Sequence, residues 1–330
     1  MTDYTIPLRL SRLRSSAMSR ALVKETRLHP QQFIAPLFIS ELINEPQEIS
    51  AMPGQYQLSL DCLPREIESL SSLGIPAVLL FGIPKHKDGY GSESFNQEGI
   101  IQQAIRKIRT VNKDILIITD LCFCEYTDHG HCGALNGECI DTDKTLALLA
   151  KQAVSHAKAG ADWVAPSGMT DGMVQAIRKA LDAEGYQHVP ILSYSAKYCS
   201  CLYGPFREAA QGAPKFGNRK SYQMDPANGA EALRETALDL EEGADVIMVK
   251  PAGFYLDIIA KLKQNFPEVP LCAYQVSGEY SMIKIAAQNN LINEEQAIME
   301  SLTGIKRAGA DFIISYFAKD IARLLNQNKL

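Results

Sequence analysis

Two lysines stand at the ends of apolar runs. Val246–Lys250 closes on Lys250 and then breaks at Pro251-Ala252-Gly253, and the run 191–198 carries Lys197. Such runs read as buried parallel strands. A lysine at the C-terminal end of a strand sits where barrel enzymes keep their chemistry. The chemistry available to it is imine formation with a ketone, which needs a neutral amine. A free lysine has a pKa of about 10.4, so neutrality near pH 7 costs roughly 4 kcal/mol. Burial pushes in that direction, and so does a second ammonium held alongside. A lone strand-end lysine is readily explained as a snorkelling or ion-paired side chain. Two of them on neighbouring strands would each depress the other.

A second cluster follows Asp120. The stretch Asp120-Leu-Cys122-Phe-Cys124-Glu-Tyr-Thr-Asp-His129-Gly-His131-Cys132-Gly places three cysteines close together. If the strand extends through them, Cys122 and Cys124 share one face, and the glycine-bearing loop returns Cys132 to the same point. Three thiolates suit zinc, and three protein ligands leave one coordination position open, as in catalytic sites. A closed site with His131 or Cys139 as fourth ligand is the alternative. Cys199 and Cys201 repeat the spacing without further ligands and read as packing thiols.

After Lys197 comes a long aromatic and basic insertion, with Tyr203-Gly-Pro-Phe206-Arg207 and then Phe216-Gly-Asn-Arg219-Lys-Ser-Tyr-Gln223. Arg207 and Arg219 can grip a substrate carboxylate in bidentate fashion, and an insertion of this kind reads as a lid.

These groups need strands whose C-terminal ends converge. Three segments repeat one pattern, Ala159-Gly160-Ala161-Asp162, Glu242-Gly243-Ala244-Asp245 and Ala308-Gly309-Ala310-Asp311. Each follows a helical pattern (145–158, 229–241, 294–307) and feeds an apolar run (163–167, 246–250, 312–316), so a helix ends at glycine and turns into a strand. Further strands are predicted at 33–39, 77–83, 115–122, 191–198 and 271–276, and further helices at 98–111, 173–184, 255–266 and 279–288. Eight β/α units in 330 residues match a TIM (β/α)8 barrel with insertions. A doubly wound sheet is the competing architecture, but no Gly-x-Gly-x-x-Gly stands at a strand–helix turn. No linker divides the chain, which reads as an N-terminal arm, residues 1–30, and a catalytic barrel, residues 31–330. In the first 28 residues Arg9, Arg12, Arg14, Arg20, Lys24 and Arg27 face only Asp3 and Glu25. This basic arm is expected to dock on a neighbouring subunit.

Composition narrows the functional class. The net charge of −5 offers no general basic surface for nucleic acid. No apolar stretch reaches the length of a membrane span, and the N-terminus lacks the apolar core of a secretory signal. With eight cysteines in a large domain without such a signal, reduced thiols and a cytoplasmic location are expected.

The chain resembles the porphobilinogen synthase (5-aminolaevulinate dehydratase) family over essentially its whole length. The resemblance rests on the cysteine loop, on Ala165-Pro-Ser167-Gly-Met-Thr-Asp-Gly172, Ser193-Tyr-Ser-Ala-Lys197, Tyr203-Gly-Pro-Phe-Arg207 and Met248-Val-Lys250-Pro-Ala252. It implies condensation of two molecules of 5-aminolaevulinate to porphobilinogen with loss of two waters, an early step of tetrapyrrole (haem) synthesis. Lys250 is then the principal Schiff-base lysine and Lys197 engages the second substrate. Arg207, Arg219 and Gln223 bind the second carboxylate, and Ser277 and Tyr316 the first. Tyr203 and Phe206 belong to the lid, and Asp120 and Ser167 orient the lysine, amine or water. Cys122, Cys124 and Cys132 match the zinc-dependent branch, whereas other branches carry aspartates there and use magnesium or potassium. A zinc with three thiolates carries net negative charge, which favours a template and Lewis-acid role over a hydroxide source. Glu235 stands where some members hold an allosteric Mg²⁺, with Arg12 as its partner across an interface. Ser221 replaces a cysteine of some animal members, so no second tight zinc is expected. The family implies a homo-octamer assembled through the arms.

Two other readings explain less. A class I aldolase needs one lysine and no metal, leaving the cysteines and Lys197 idle. A zinc-binding redox module leaves the Arg207–Arg219 insertion idle.

Overall fold

Runs such as Ala77–Ile83, buried at every position, have no polar face to offer water and are stable only in a sheet covered on both sides. In the computed structural model, which describes residues 8–327, eight such strands form the wall of a barrel. They are β1 (Phe33–Ser40), β2 (Ala77–Ile83), β3 (Leu116–Leu121), β4 (Trp163–Pro166), β5 (Leu192–Lys197), β6 (Val246–Lys250), β7 (Leu271–Gln275) and β8 (Phe312–Ser315). All are parallel and hydrogen-bonded in the order β4-β3-β2-β1-β8-β7-β6-β5. The remaining seam, between β4 and β5, is held by a parallel bridge between Val164 and Ile191. Helices cover the outside, and the architecture is the expected TIM barrel. Every predicted strand and helix is present, with ends shifted by a few residues at most. A short antiparallel pair, Gln47–Glu48 with Tyr56–Leu58, was not foreseen and adds to β1.

The repeated Gly-Ala-Asp segments acquire a physical explanation. Gly160, Gly243 and Gly309 end their helices with φ of 104°, 108° and 127°, backbone that only glycine adopts without strain. The aspartate that follows then reaches sideways to the preceding strand. The Asp162 carboxylate accepts the Ile117 N–H at 2.6 Å, that of Asp245 the Ile191 N–H at 2.8 Å, and that of Asp311 the Leu271 N–H at 2.8 Å. Each aspartate N–H donates in return to the carbonyl of the same residue. The repeat therefore pins strand pairs β3/β4, β5/β6 and β7/β8 at the barrel floor and fixes their register.

The arm contrasts with this. Residues Leu10–Arg14 and Ala17–Leu22 form short helical turns that bury nothing. Leu8, Leu10, Leu13, Met18 and Leu22 are exposed. Residues 1–7 of the expected arm lie outside the described residues.

Asp245 makes its bond to β5 with no ion pair among the described residues, so Asp245→Ala tests the pin cleanly. The expected loss is about 1 kcal/mol, one hydrogen bond to a charged acceptor near solvent. It is read as a lower midpoint of thermal unfolding; an unchanged midpoint contradicts the role.

Candidate active site

Strand register brings the two lysines together. Lys250 ends β6, Lys197 ends β5, and the two are paired across the strands. Both are 5 % exposed. The Lys250 Nζ faces rings on several sides, 4.0 Å from the centroid of Tyr274, 5.0 Å from Tyr194, 5.2 Å from Phe206 and 5.6 Å from Tyr203. Burial penalises its charge and lowers its pKa from 10.5 to about 7; Lys197 pushes the same way, and Asp120, Glu125 and Cys124 oppose. The amine is thus substantially neutral near pH 7. Lys197 is held differently, its Nζ donating to the Ser167 carbonyl. The Ser167 hydroxyl donates to Asp120 Oδ2 at 3.1 Å. Asp120 Oδ1 is buried without a partner, and burial together with Glu125 pushes its carboxyl up.

The thiols converge as expected, though not for the expected reason. β3 stops at Leu121, so Cys122 and Cys124 do not ride on extended strand. A tight turn, in which the Tyr126 and Thr127 N–H groups both donate to the Phe123 carbonyl, brings their Sγ atoms to 3.4 Å. The Cys122, Cys124 and Cys132 sulfurs all lie within 4.8 Å of one another, and all three residues are buried. Cys132 is held well below the ordinary thiol range by hydrogen bonds from Cys122 and Cys124. Cys122 and Cys124 are pushed well above it, by hydrogen bonding within the trio and by burial, and three buried sulfurs so close together fit a soft divalent cation. The alternatives for a fourth ligand do not join it. His131 spends Nδ1 on the Tyr222 hydroxyl at 3.2 Å and Nε2 on the Phe216 carbonyl at 3.1 Å, and Cys139 is exposed. Gln152 steadies the loop by donating to the Cys122 carbonyl.

The insertion after β5 closes over the barrel mouth. Helix Gly204–Ala209 puts Phe206 against Phe38 and Phe81, with centroids at 5.6 and 5.0 Å, and directly over the Lys250 amine. The Tyr203 hydroxyl donates to the Tyr198 carbonyl at 2.7 Å. Arg219 is buried, donating to the Gly130 and Gly212 carbonyls at 2.9 and 2.7 Å. The Nε atoms of Arg207 and Arg219 and both amide atoms of Gln223 are buried without partners. Buried polar atoms rarely stay unpaired, so these are groups arranged for something the chain does not itself supply. Ser277, just past β7, accepts from the Phe206 N–H at 3.0 Å and donates to the Leu202 carbonyl at 3.2 Å. Tyr316, just past β8, shares a hydrogen bond with the Tyr274 hydroxyl at 3.2 Å.

Glu235 lies apart. It sits on helix Glu231–Glu242 outside the barrel and lines a cavity of about 660 Å³ with Asp171, Glu231 and Asp239. Burial, then Asp239 and Asp171, raise its pKa. Asp239, one turn along the same helix, accepts from Ser193 of β5 at 2.6 Å. Arg12 is exposed on the arm.

Two buried carboxylates near the site escaped the sequence reading. Glu125 is buried with an oxygen within 4.8 Å of Asp120 and Cys122 ligand atoms. Its one signal was its place beside Cys124. Glu279 is 5 % exposed and accepts backbone N–H groups from Val276, Ala252 and Gly253; burial pushes it up to about 7. Its signal was the capping-box spacing to Val276, which lacked the serine or threonine that normally marks such a box.

Comparison with known proteins gives a consistent result. The family described as Delta-aminolevulinic acid dehydratase matches residues 8–324. A Helicobacter pylori delta-aminolevulinic acid dehydratase is 54 % identical over 321 residues, 97 % of this chain and 99 % of that protein. One from Halalkalibacterium halodurans is 53 % identical over 318 residues, 96 % of this chain and 97 % of that protein. The crystal structure of the Toxoplasma gondii enzyme, also called porphobilinogen synthase and solved with its product porphobilinogen, superposes with a TM-score of 0.95 at 40 % identity, covering 98 % of this chain and 95 % of that one. With family, relatives and fold in agreement along nearly its full length, the chain belongs to the delta-aminolevulinic acid dehydratase family.

Proposed function

We propose that this chain condenses two molecules of 5-aminolaevulinate to porphobilinogen, with loss of two waters, through Schiff bases on Lys250 and Lys197. The observation that carries this reading is the pairing of two buried lysines across β5 and β6, beside the cysteine trio. The neutral Lys250 amine adds to the ketone of one substrate; water leaves and a C=N bond to Nζ replaces the C=O. Ser277 and Tyr316 take that substrate's carboxylate. Lys197, oriented by the Ser167 carbonyl, engages the second substrate. Arg207, Arg219 and Gln223 take its carboxylate, which would satisfy polar atoms otherwise buried without partners. Asp120 is positioned through Ser167 to accept or return protons near Lys197. Tyr203 and Phe206, whose rings lie 5.6 and 5.2 Å from the Lys250 Nζ, close over that amine and exclude water. Cys122, Cys124 and Cys132 would hold zinc, which when bound supplies Lewis acidity toward the second substrate's amine or carbonyl.

Around this centre the reading extends to regulation and assembly. Glu235, on the outer face of the barrel, would take part in binding an allosteric Mg²⁺, with Arg12 of the arm as its partner across an interface. The exposed apolar side chains of the N-terminal arm, residues 1–30, suit subunit contacts that build a homo-octamer from barrels of residues 31–330. No helix among the described residues is long and apolar enough to cross a membrane. The cytoplasm is the compartment in which free thiols such as these persist, and the acidic chain has small-molecule rather than nucleic-acid partners.

Borohydride reduction in the presence of 5-aminolaevulinate is expected to attach substrate to Lys250, located by peptide mapping. Because the reactive amine is the unprotonated form, the trapping rate should rise as pH climbs through about 7 and level off above it. Lys250→Ala should remove nearly all formation of the pyrrole product; a near-normal rate rejects the assignment. Cys124→Ala should lower bound zinc and turnover together, and full activity in metal-free protein would count against the metal's role. Glu235→Gln should abolish any rise in rate on adding Mg²⁺ while leaving the rate of the zinc-loaded protein without added Mg²⁺ intact; an undiminished magnesium response moves the activating site elsewhere.

A further inference from the structure

The start of helix Ser277–Gln288 is a junction of three segments that the site depends on. Ser277 holds the lid through the Phe206 N–H and the Leu202 carbonyl. Gly278 lies flat against the base of the lid, and a Cβ there would come within 2.6 Å of the Leu202 oxygen. Glu279 turns the other way. Its Oε1 accepts the Gly253 N–H at 2.5 Å, and its Oε2 accepts the Val276 N–H at 2.7 Å and the Ala252 N–H at 3.4 Å. Gly253 and Ala252 belong to the loop that leaves Lys250, and Val276 follows the end of β7. Three N–H donors buried together need an acceptor with several lone pairs, and a carboxylate is the side chain that provides them. The helix N-terminus favours the negative charge as well. A Cβ on Gly253 would stand 2.5 Å from the same Oε1, so the loop approaches the carboxylate as closely as glycine allows.

From this junction we infer that Glu279 is a positioning residue for the reaction, tying the exit loop of the Lys250 strand to the helix that presents Ser277 and grips the lid. The group that attacks the ketone and the hydroxyl that takes the same substrate's carboxylate are set relative to each other through one buried side chain. The hydrogen-bond partners of Glu279 are backbone N–H groups, none of them in the cysteine loop. It works by fixing the distance between the amine and the hydroxyl. This rests on the proposal that Lys250 forms the imine.

The test uses the full-length, metal-loaded protein with Glu279→Gln and Gly253→Ala. Glutamine keeps the length but replaces one acceptor with a donor facing N–H groups. Gly253 sits in the short helical turn Gly253–Tyr255, which alanine can adopt, so its added methyl acts on the carboxylate. Each variant is expected to lower kcat on 5-aminolaevulinate by tenfold to a hundredfold, on the order of the penalty for a misplacement of about 1 Å. The rate of borohydride trapping on Lys250 should fall in parallel, with zinc content unchanged. Normal kcat and trapping beside a lowered thermal midpoint, or failure of both variants to fold, assigns Glu279 to stability and overturns the inference. If wild-type protein is not trapped at Lys250 at all, the imine assignment fails instead, and the two failures are told apart.

Discussion

The site depends on keeping an amine out of water. Moving a lysine from a pKa of 10.5 to about 7 costs on the order of 5 kcal/mol of ammonium stability. The rings around Lys250 pull the other way, since a cation over an aromatic face gains about 0.5 to 2 kcal/mol. Burial exceeds that gain because the same rings exclude water and Lys197 adds a like charge next door. Asp120, Glu125 and Cys124 favour the ammonium but do not outweigh burial. The balance explains why one lysine is walled by Tyr194, Tyr203, Phe206 and Tyr274 while the other rests on a carbonyl. Two lysines in the same strand register thus receive different surroundings.

Such a balance tolerates little movement, and the barrel supplies the rigidity. β5 and β6 are pinned at the floor by Asp245, while their upper ends carry the lysines. β6 is further fixed above by Glu279, whereas β5 gains a second hold near its start from the Asp239–Ser193 bond to an outer helix. Interaction at both ends of a strand leaves its terminal side chain few ways to drift. The helix that bears Asp239 also bears Glu235, so the acidic cavity outside the barrel is physically continuous with the strand that ends in Lys197.

The sequence made the barrel legible because the repeated Gly-Ala-Asp marks helix ends and strand starts by local chemistry, and the all-apolar runs leave no other role for their residues. The lysines and cysteines were legible from residue type and spacing. What could not be read was set by distant contacts. The turn that brings Cys122 and Cys124 together hangs on the Phe123 carbonyl, not on strand alternation. His131 looked like a metal ligand because it adjoins Cys132, but it is occupied by Phe216 and Tyr222, some ninety residues away in the chain. Glu279 followed a valine where a capping box calls for a hydroxyl, and its other partners, Ala252 and Gly253, come from another loop. The hairpin 47–58 is short and polar, and its pairing with β1 follows from tertiary context alone.

These distant contacts also join the lid to the cysteine loop. His131 binds the Phe216 carbonyl and the Tyr222 hydroxyl, Arg219 binds the Gly130 carbonyl, and the Lys215 N–H donates to the His129 carbonyl at 3.0 Å. Gly130 approaches the lid so closely that a Cβ would lie 2.2 Å from the Ala213 oxygen, and its φ of 74° excludes most other residues as well. The loop carrying Cys132 and the lid carrying Arg219 therefore move as one body or separate by breaking several bonds together. The same insertion carries Phe206 against the Lys250 amine, so contiguous contacts run from the thiol loop to the buried lysine. The cysteine trio, the buried Arg219 and the walled Lys250 amine are thereby joined through one insertion, whose contacts hold the three groups in a fixed arrangement.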